Sequence, residues 1–166
     1  MPELPVRALD LGSGGGLPGL VLALQWPTTH WSLLDAGQRR IAFLHTAVAA
    51  LGLTGRVEVL PARAEAAGRM PEQRGAHDLV VARSFGLPAV TAECAAPFLQ
   101  VSGLLVVSEP PAPTPDRWPA ASLAKVGLEA CAAIEGPPRL QVLKQRVACP
   151  DQYPRRTGVP GKRPLW

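Results

Sequence analysis

The sequence predicts an α/β domain built on a mostly parallel twisted sheet, and three observations support this prediction. Short apolar runs alternate with segments whose apolar residues recur every three or four positions, as in strands that alternate with helices. The chain has 166 residues, of which 47% are hydrophobic and 18% charged, which suits one domain with a real core and excludes disorder throughout. Two strand-like runs close the chain, so we expect helices on both faces of a sheet that ends in an antiparallel pair.

The predicted strands and helices mostly alternate along the chain. The second helix has the clearest pattern, because Ile41, Leu44 and Val48 recur at spacings of three and four and Gly52 follows. The run at residues 77–82 is apolar on both faces, as expected inside a parallel sheet. The predicted strands cover residues 6–11, 30–35, 56–61, 77–82, 103–108, 128–134 and 140–148, and the predicted helices cover residues 17–25, 38–51 and 87–99.

The positive charge is concentrated at the C-terminal end. The net charge is +4, yet the residues from Arg139 onward sum to +6 and those before it to −2. This asymmetry predicts contact with a polyanion, nucleic acid before membrane, with a solvated tail as the alternative. Since residues 150–166 offer little to bury, we predict a domain over residues 1–149 and a basic tail or ordered loop after it. The candidate RNA-binding residues are Arg155, Arg156, Lys162 and Arg163.

The cysteine and hydropathy patterns predict a cytoplasmic protein. The three cysteines lie far apart without a CxxC pair, which argues against disulfides and zinc. Residues 11–34 carry no charge, but glycines and prolines interrupt them too often for a bilayer span, and no leader pattern is seen at Met1. We therefore expect a protein without bound metal or membrane contact, and a monomer.

The stretch DLGSGGGLPG, from Asp10 to Gly19, predicts a ligand-binding loop. A strand ends there, glycines let the main chain approach a ligand, and a helix then begins with its N–H groups toward that ligand. Leu17 stands where a dinucleotide site has Gly or Ala, and the Lys-Ser/Thr pair of a P-loop is missing. The GxGxG pattern favours S-adenosylmethionine (SAM), with a plain structural turn as the alternative. The candidate contacts are Gly12, Ser13, Gly14, Gly16 and Leu17.

Acidic residues follow the next two predicted strands. Asp35 ends the second strand, 23 residues after Gly12, where a carboxylate can accept both hydroxyls of a ribose. Its alternative role is to cap the helix that begins near Gln38. Ala64 and Glu65 follow the third strand, where the edge of an adenine would lie, although Glu65 alone is also compatible with a solvated loop charge.

Taken in order, these motifs resemble the RsmG family, also called glucose-inhibited division protein B, of bacterial 16S rRNA methyltransferases. The resemblance runs through LDLGSGGGLPGL, LLDAGQRRIAFL, the triplet Arg63–Glu65, HDLVVARSFG and YPRRTGVPGKRPL. It implies a class I SAM-dependent methyltransferase fold, which is Rossmann-like, and methyl transfer to N7 of a guanine in 16S rRNA, free or within the small subunit. The family's SAM contacts fall on Gly12, Leu17, Ala64, Glu65 and Arg83, and Asp35 takes the ribose position of the wider class.

Guanine N7 is already a lone-pair nucleophile, so the implied reaction needs alignment and electrostatics more than a general base. Arg83 is the candidate catalytic residue, because it can hold either the SAM carboxylate or the guanine O6. A grip on O6 and N7 together would block the attacking atom. The three histidines form no constellation, and we interpret them as structural.

Two departures from the family pattern leave other functions open. The first strand begins close to Met1, whereas family members carry a helical segment before the glycine loop. Glu109 follows the fifth strand in place of a lysine, an unfavourable charge beside a polyanionic substrate. The alternatives are a SAM-binding relative with altered or no activity, and a ribosome- or RNA-binding module that uses the fold as a scaffold.

Overall fold

The computed structural model describes residues 4–112 and 114–166. Within them, seven strands form one sheet in the order β3-β2-β1-β4-β5-β7-β6. The strands are β1 (Arg7–Leu11), β2 (His30–Asp35), β3 (Val57–Pro61), β4 (His77–Ala82), β5 (Leu99–Ser108), β6 (Leu128–Ile134) and β7 (Leu140–Gln145). The α-helices are α1 (Gly19–Gln25), α2 (Gln38–Ala50), α3 (Ala64–Ala67), α4 (Pro88–Ala95), α5 (Ala120–Leu123) and α6 (Val159–Lys162).

The sheet is parallel from β3 to β5 and antiparallel beyond it. β1 pairs in parallel with β2 and with β4, so the strand order reverses beside β1. Such a reversal opens a crevice at the carboxyl ends of the strands, where ligands bind in open α/β sheets. β7 lies between β5 and β6 and runs antiparallel to both. The predicted mixed sheet is therefore confirmed, while the insertion of β7 between its neighbours was not predicted.

Helices cover both faces of the sheet, as predicted. α1 and α2 pack on one face through Leu20, Leu44 and Val48, against a buried cluster that includes Trp31 and Leu33. α3, α4 and the C-terminal residues cover the other face. No helix within residues 4–112 and 114–166 is long and apolar enough to cross a membrane.

Four boundaries differ from the prediction by two residues or more. α1 begins at Gly19, two residues after the predicted start, because Pro18 precedes it as the N-cap. The predicted helix 87–99 ends at Ala95 and continues as a 3-10 turn that contains Pro97, so β5 begins already at Leu99. β7 ends at Gln145, whose side-chain amide donates to the carbonyls of Val126 and Val147, both at 2.8 Å.

The C-terminal segment, residues 150–166, packs on the domain, and the expectation that it buries little is wrong. Tyr153, Pro154 and Pro160 are buried. The Arg74 guanidinium donates to the carbonyl of Tyr153 at 2.8 Å and to that of Pro150 at 3.0 Å. Residues 150–166 are therefore ordered against the domain in spite of their proline- and glycine-rich composition. The division of the chain at residue 149 stays a prediction.

Candidate cofactor site

A cleft of about 460 Å³ opens at the carboxyl ends of β1, β2, β3 and β4. It brings together every predicted cofactor contact except Gly16, which is buried within the turn of the glycine loop. The cleft is lined by Gly12, Ser13, Gly14, Gly15, Leu17, Leu34, Asp35, Ala36, Arg40, Ala62, Arg63, Ala64, Glu65, Arg83, Ser84 and Phe85.

The glycine loop is tied to the neighbouring strand by its main chain. The N–H groups of Gly12 and Ser13 both donate to the Leu34 carbonyl at 2.9 Å. Gly12 has a φ of +75°, and a Cβ on it would lie 2.6 Å from the Phe85 ring, so only glycine suits this position. The Ser13 hydroxyl donates to the Asp10 carbonyl at 3.0 Å and is buried. Ser13 thus holds the loop with its side chain and faces the cleft only with its main chain.

Asp10 anchors the other end of the loop, a role that the sequence analysis missed. Its side chain is 1% exposed, and Oδ2 accepts a hydrogen bond from the Gly19 N–H, at the start of α1, at 2.9 Å. Burial raises the pKa of Asp10 to about 6, although the Gly19 N–H, the Ser13 hydroxyl and the nearby Arg83 charge lower it. The available signal was an acid inside an otherwise apolar strand, which is costly unless its carboxylate is hydrogen-bonded.

Asp35 holds the glycine loop and the start of α2 at once. Its Oδ2 accepts from the Gly14 N–H at 2.9 Å, and Oδ1 accepts from the Gly37 N–H and from Arg40 Nε, both at 2.8 Å. Burial raises the pKa of Asp35, but the hydrogen bonds from Gly37, Arg40 and Gly14 outweigh it and the net shift is downward. The N-cap of α2 is Gly37, without a side-chain cap, so Asp35 is not the cap itself.

The ion pair of Asp35 leaves room for a ligand. The Arg40 side chain is 59% exposed, whereas that of Asp35 is 5% exposed. An ion pair with so exposed a partner contributes only about 0–1 kcal/mol. Since a carboxylate offers about four acceptor positions, a ribose hydroxyl can use the fourth or displace Arg40.

The residues after β3 connect the cleft to the C-terminal segment. Ala64 is buried at the start of α3, and Glu65 is half-buried. Glu65 Oε1 accepts a hydrogen bond from the Gly158 N–H at 2.8 Å. Glu65 is therefore not a solvated loop charge, because it lines the cleft and holds a residue 93 positions away.

Arg83 follows the last residue of β4 and is exposed at the cleft. Among the residues that the structure describes, it forms no salt bridge. The next residue, Ser84, has a φ of +54°, a conformation that strains a residue other than glycine and is often found at functional sites. The strained turn places Arg83, Ser84 and Phe85 together on the cleft wall.

The histidines and buried cysteines lie outside the cleft. His77 is the first residue of β4, so it lies at the amino ends of the parallel strands, away from the cleft. Burial lowers the pKa of His77. Burial raises the pKa values of the Cys94 and Cys149 thiols, so neither is a ready nucleophile. Within residues 4–112 and 114–166, no group of three or more His, Cys, Asp and Glu side chains is arranged to hold a metal.

The four predicted RNA contacts differ in their surroundings. Arg155 binds Glu93 of α4 with Nε at 2.8 Å and with a terminal nitrogen at 2.6 Å, and its own N–H adds a third bond at 2.9 Å. The Glu93 side chain is 0% exposed and that of Arg155 28%. The other three, Arg156, Lys162 and Arg163, are exposed and form no salt bridge within the described part of the chain.

Glu109 does not present an unopposed negative charge, contrary to the expectation from its position after β5. Its Oε2 accepts from Arg117 Nε at 2.6 Å, and its Oε1 accepts from the Trp118 indole N–H at 3.2 Å. The local sequence gave no sign of this ion pair, because Arg117 lies eight residues further along a proline-rich loop.

The strand order with an antiparallel β7, the glycine loop after β1 and the acid that ends β2 define a class I SAM-dependent methyltransferase. Solved structures share this fold. The antibiotic-resistance methyltransferase Kmr matches with a TM-score of 0.65 and 17% identity over 85% of this chain and 86% of that one. A putative methyltransferase, yhhF from Escherichia coli, matches with a TM-score of 0.62 and 17% identity over 85% of this chain and 77% of that one.

The chain belongs to the GidB family, rRNA small subunit methyltransferase G, whose family model matches residues 3–109. The relative from Prochlorococcus marinus (strain MIT 9313) is 38% identical over 98% of this chain and 69% of its own length. Those from Rubrobacter xylanophilus and Moorella thermoacetica are 35% and 34% identical, over 96% and 98% of this chain and 65% and 72% of their own lengths. All three are named ribosomal RNA small subunit methyltransferase G. The resemblance stated from the motifs is confirmed.

SAM is the cofactor of this class, and the cleft fits it. Asp35 presents a carboxylate to the cleft, and Arg83, which forms no salt bridge among the described residues, presents a cation. A ligand with ribose hydroxyls and a carboxylate, such as SAM, can bind both groups. At Gly12 the space that a Cβ would take is already occupied by the Phe85 ring, and nothing lies within 4 Å of the Cβ position of Gly15. The loop therefore presents its main chain to the cleft.

Proposed function

We propose that the chain transfers the methyl group of SAM to N7 of a guanine in 16S rRNA, either free or within the small ribosomal subunit. The proposal rests mainly on one observation: all the family motifs meet at the carboxyl ends of the parallel strands. The glycine loop, Asp35, Ala64, Glu65 and Arg83 line one cleft, and the C-terminal motif contacts it through Gly158. Membership of the methyltransferase G family supports the substrate.

Each part of the cleft has a role in this proposal. Asp35 accepts the ribose hydroxyls, and Ala64 and Glu65 border the adenine. The loop Gly12–Leu17 receives the amino-acid portion of SAM, and the buried Gly16 allows the turn of this loop. Arg83 binds the carboxylate of SAM or the guanine O6. When bound, SAM supplies a methyl group activated by a sulfonium.

The proposed reaction needs no general base. The N7 lone pair forms the new carbon–nitrogen bond while the methyl–sulfur bond breaks, and the electron pair of that bond stays on sulfur. N7 carries no proton to lose, so the methylated base holds the positive charge. The protein contributes alignment and a fixed electrostatic environment, and we assign the latter to Arg83.

The C-terminal segment carries the proposed RNA contact. Arg156, Lys162 and Arg163 are exposed, and Gly158 between them binds Glu65 at the cleft. Phosphates that these three cations neutralise therefore lie near the cofactor. Arg155 has a different role here, because Glu93 occupies its guanidinium; it positions the segment. With such a substrate, we propose a cytoplasmic monomer that needs no metal.

Labelled SAM and small subunits that lack the modification test the proposal. We expect one methyl group per subunit, found at guanine N7 by mass spectrometry of the digested rRNA. Arg83→Ala is expected to lose transfer while keeping its fold, with Arg39→Ala, another exposed arginine outside the cleft lining, as the control. SAM binding without transfer would favour a relative with altered or no activity. RNA binding without SAM binding would favour the scaffold alternative.

A further inference from the structure

A second cleft of about 280 Å³ adjoins the cofactor cleft, between the ends of β4 and β5. Ser84 and Phe85 line both clefts, so a molecule in one is next to a molecule in the other. The remainder of its wall includes a carboxylate and a second aromatic ring, which belong to Glu109 and Trp118. Of the family motifs, only HDLVVARSFG reaches this cleft, through Ser84, Phe85 and Gly86, so the motifs assign no role to Glu109 or Trp118.

Glu109 is held in one orientation, with acceptor capacity left over. Its side chain is 9% exposed. Arg117 binds Oε2 and the Trp118 indole binds Oε1, so two of about four acceptor positions on the carboxylate are filled. The Arg117 charge offsets the cost of keeping this carboxylate out of water. A fixed carboxylate with one free position on each oxygen matches a partner that offers two parallel N–H donors.

We propose that this second cleft receives the target guanine and that Glu109 recognises its Watson–Crick edge; this rests on the proposed function above. Guanine offers two neighbouring donors there, N1–H and the N2 amino group. Adenine and cytosine place a ring-nitrogen lone pair at that edge, and uracil flanks its single N–H with two carbonyls. Enzymes that act on a base commonly read the extruded base at this edge and stack it on aromatic rings.

The same orientation accounts for the site of methylation. N7 lies on the Hoogsteen edge of guanine, in the imidazole ring, and not on the Watson–Crick edge that carries the N1 and N2 donors. Glu109 lines only the second cleft, whereas Ser84 and Phe85 form the wall that this cleft shares with the cofactor cleft. A guanine bound to Glu109 by its Watson–Crick edge therefore leaves N7 free to face that shared wall and the methyl donor. Phe85 and Trp118 offer ring faces for stacking.

The test compares guanine with inosine at the target position of small subunits reconstituted from ligated rRNA. Inosine keeps N7, O6 and N1–H and lacks only the N2 amino group. Since a hydrogen bond to a charged group is lost, we expect the wild-type enzyme to favour guanine by about ten- to a hundredfold in kcat/KM. Glu109→Gln should lose about the same factor on guanine and bring the guanine-to-inosine ratio close to one.

Glu135→Gln is the matched control, because Glu135 also pairs with an arginine, Arg139, but at the turn between β6 and β7. It should keep the wild-type ratio, and both variants should bind SAM with wild-type affinity in calorimetry. Equal rates on guanine and inosine with the wild-type enzyme overturn this inference and leave the proposed function standing. An unchanged ratio in Glu109→Gln does the same. No transfer to guanine by the wild-type enzyme overturns the proposed function itself.

Discussion

The glycine loop lines the cofactor cleft, and the C-terminal segment contacts that lining through Glu65. Both are rich in glycine or proline, yet they are held in different ways. Asp10 and Asp35 hold the loop from the ends of the two strands that flank it. Glu93 and Glu65 hold the C-terminal segment from positions 62 and 93 residues away. The comparison teaches that a flexible composition becomes ordered when buried or half-buried carboxylates accept its main-chain N–H groups, whether those carboxylates are local or distant.

The largest expected effect breaks the distant anchor. Arg155→Ala leaves the buried carboxylate of Glu93 without its charged partner, which should lower the free energy of unfolding by about 3–5 kcal/mol. Urea denaturation measures the loss. Arg156→Ala, one residue away and exposed, should change stability by less than about 0.5 kcal/mol. Equal effects of the two substitutions would show that the segment is not anchored through Arg155.

The anchoring residue Asp10 should make the stability of the protein depend on pH. Because the pKa of Asp10 in the folded state, about 6, lies above its ordinary value of 3.8, the folded protein holds this proton more tightly than the unfolded chain. The resulting stability is fully present below pH 3.8 and is lost as the pH rises through 6. The two values imply a loss of up to about 3 kcal/mol. Asp10→Asn keeps an acceptor for Gly19 and should abolish this dependence.

Urea denaturation of the wild-type protein and of Asp10→Asn at several pH values between 4 and 8 checks this expectation. The difference in stability should grow in favour of the variant as the pH rises. A difference that stays constant over this range would mean that the folded and unfolded states hold the Asp10 proton equally.

Substitutions of Asp35 and Arg40 distinguish the role of the Asp35 carboxylate from that of its ion pair. Asp35→Ala removes a charged acceptor from the ribose and should weaken SAM binding by about 1.5–3 kcal/mol. Arg40→Ala removes the ion pair but leaves the carboxylate, so SAM should bind as well as in the wild-type protein or more tightly. Calorimetry measures the SAM affinity of both variants. If Arg40→Ala weakened SAM binding as much as Asp35→Ala, the ion pair would be responsible for the affinity and not the carboxylate alone.

The smallest effect concerns the cations of the C-terminal segment. Each phosphate that a cation neutralises contributes about 0.7–0.9 to the slope of log K against log salt. Replacing Arg156, Lys162 and Arg163 by glutamine should therefore flatten the slope of rRNA binding by about 2–3. Lys125→Gln, which precedes β6 at the opposite edge of the sheet, should leave the slope unchanged. An unaltered slope in the triple variant would remove RNA contact from this segment.

Local patterns predicted most of the fold and of the cleft. The bounds of β2 and β4 agree with the prediction because apolar runs and turn residues are features of adjacent positions. The predicted residues of the cleft follow from the same kind of signal, since each lies at the end of a strand or in the loop or turn that comes after it. The roles of Glu93, Glu65 and Glu109 could not, because each depends on a partner brought close only by the complete fold. The position of β7 between β5 and β6 likewise depends on long-range pairing.

The hydrogen bond from Gly158 to Glu65 connects two proposed binding equilibria, that of the cofactor and that of the RNA. The Glu65 carboxylate lines the cleft, where we propose that it borders the adenine, and it binds the segment that carries the exposed cations. Thermodynamic reciprocity then holds for this pair of sites: the factor by which a bound cofactor changes the affinity for RNA equals the factor by which bound RNA changes the affinity for the cofactor. The contact between Glu65 and Gly158 is thus a direct physical link through which each proposed substrate can change the affinity for the other.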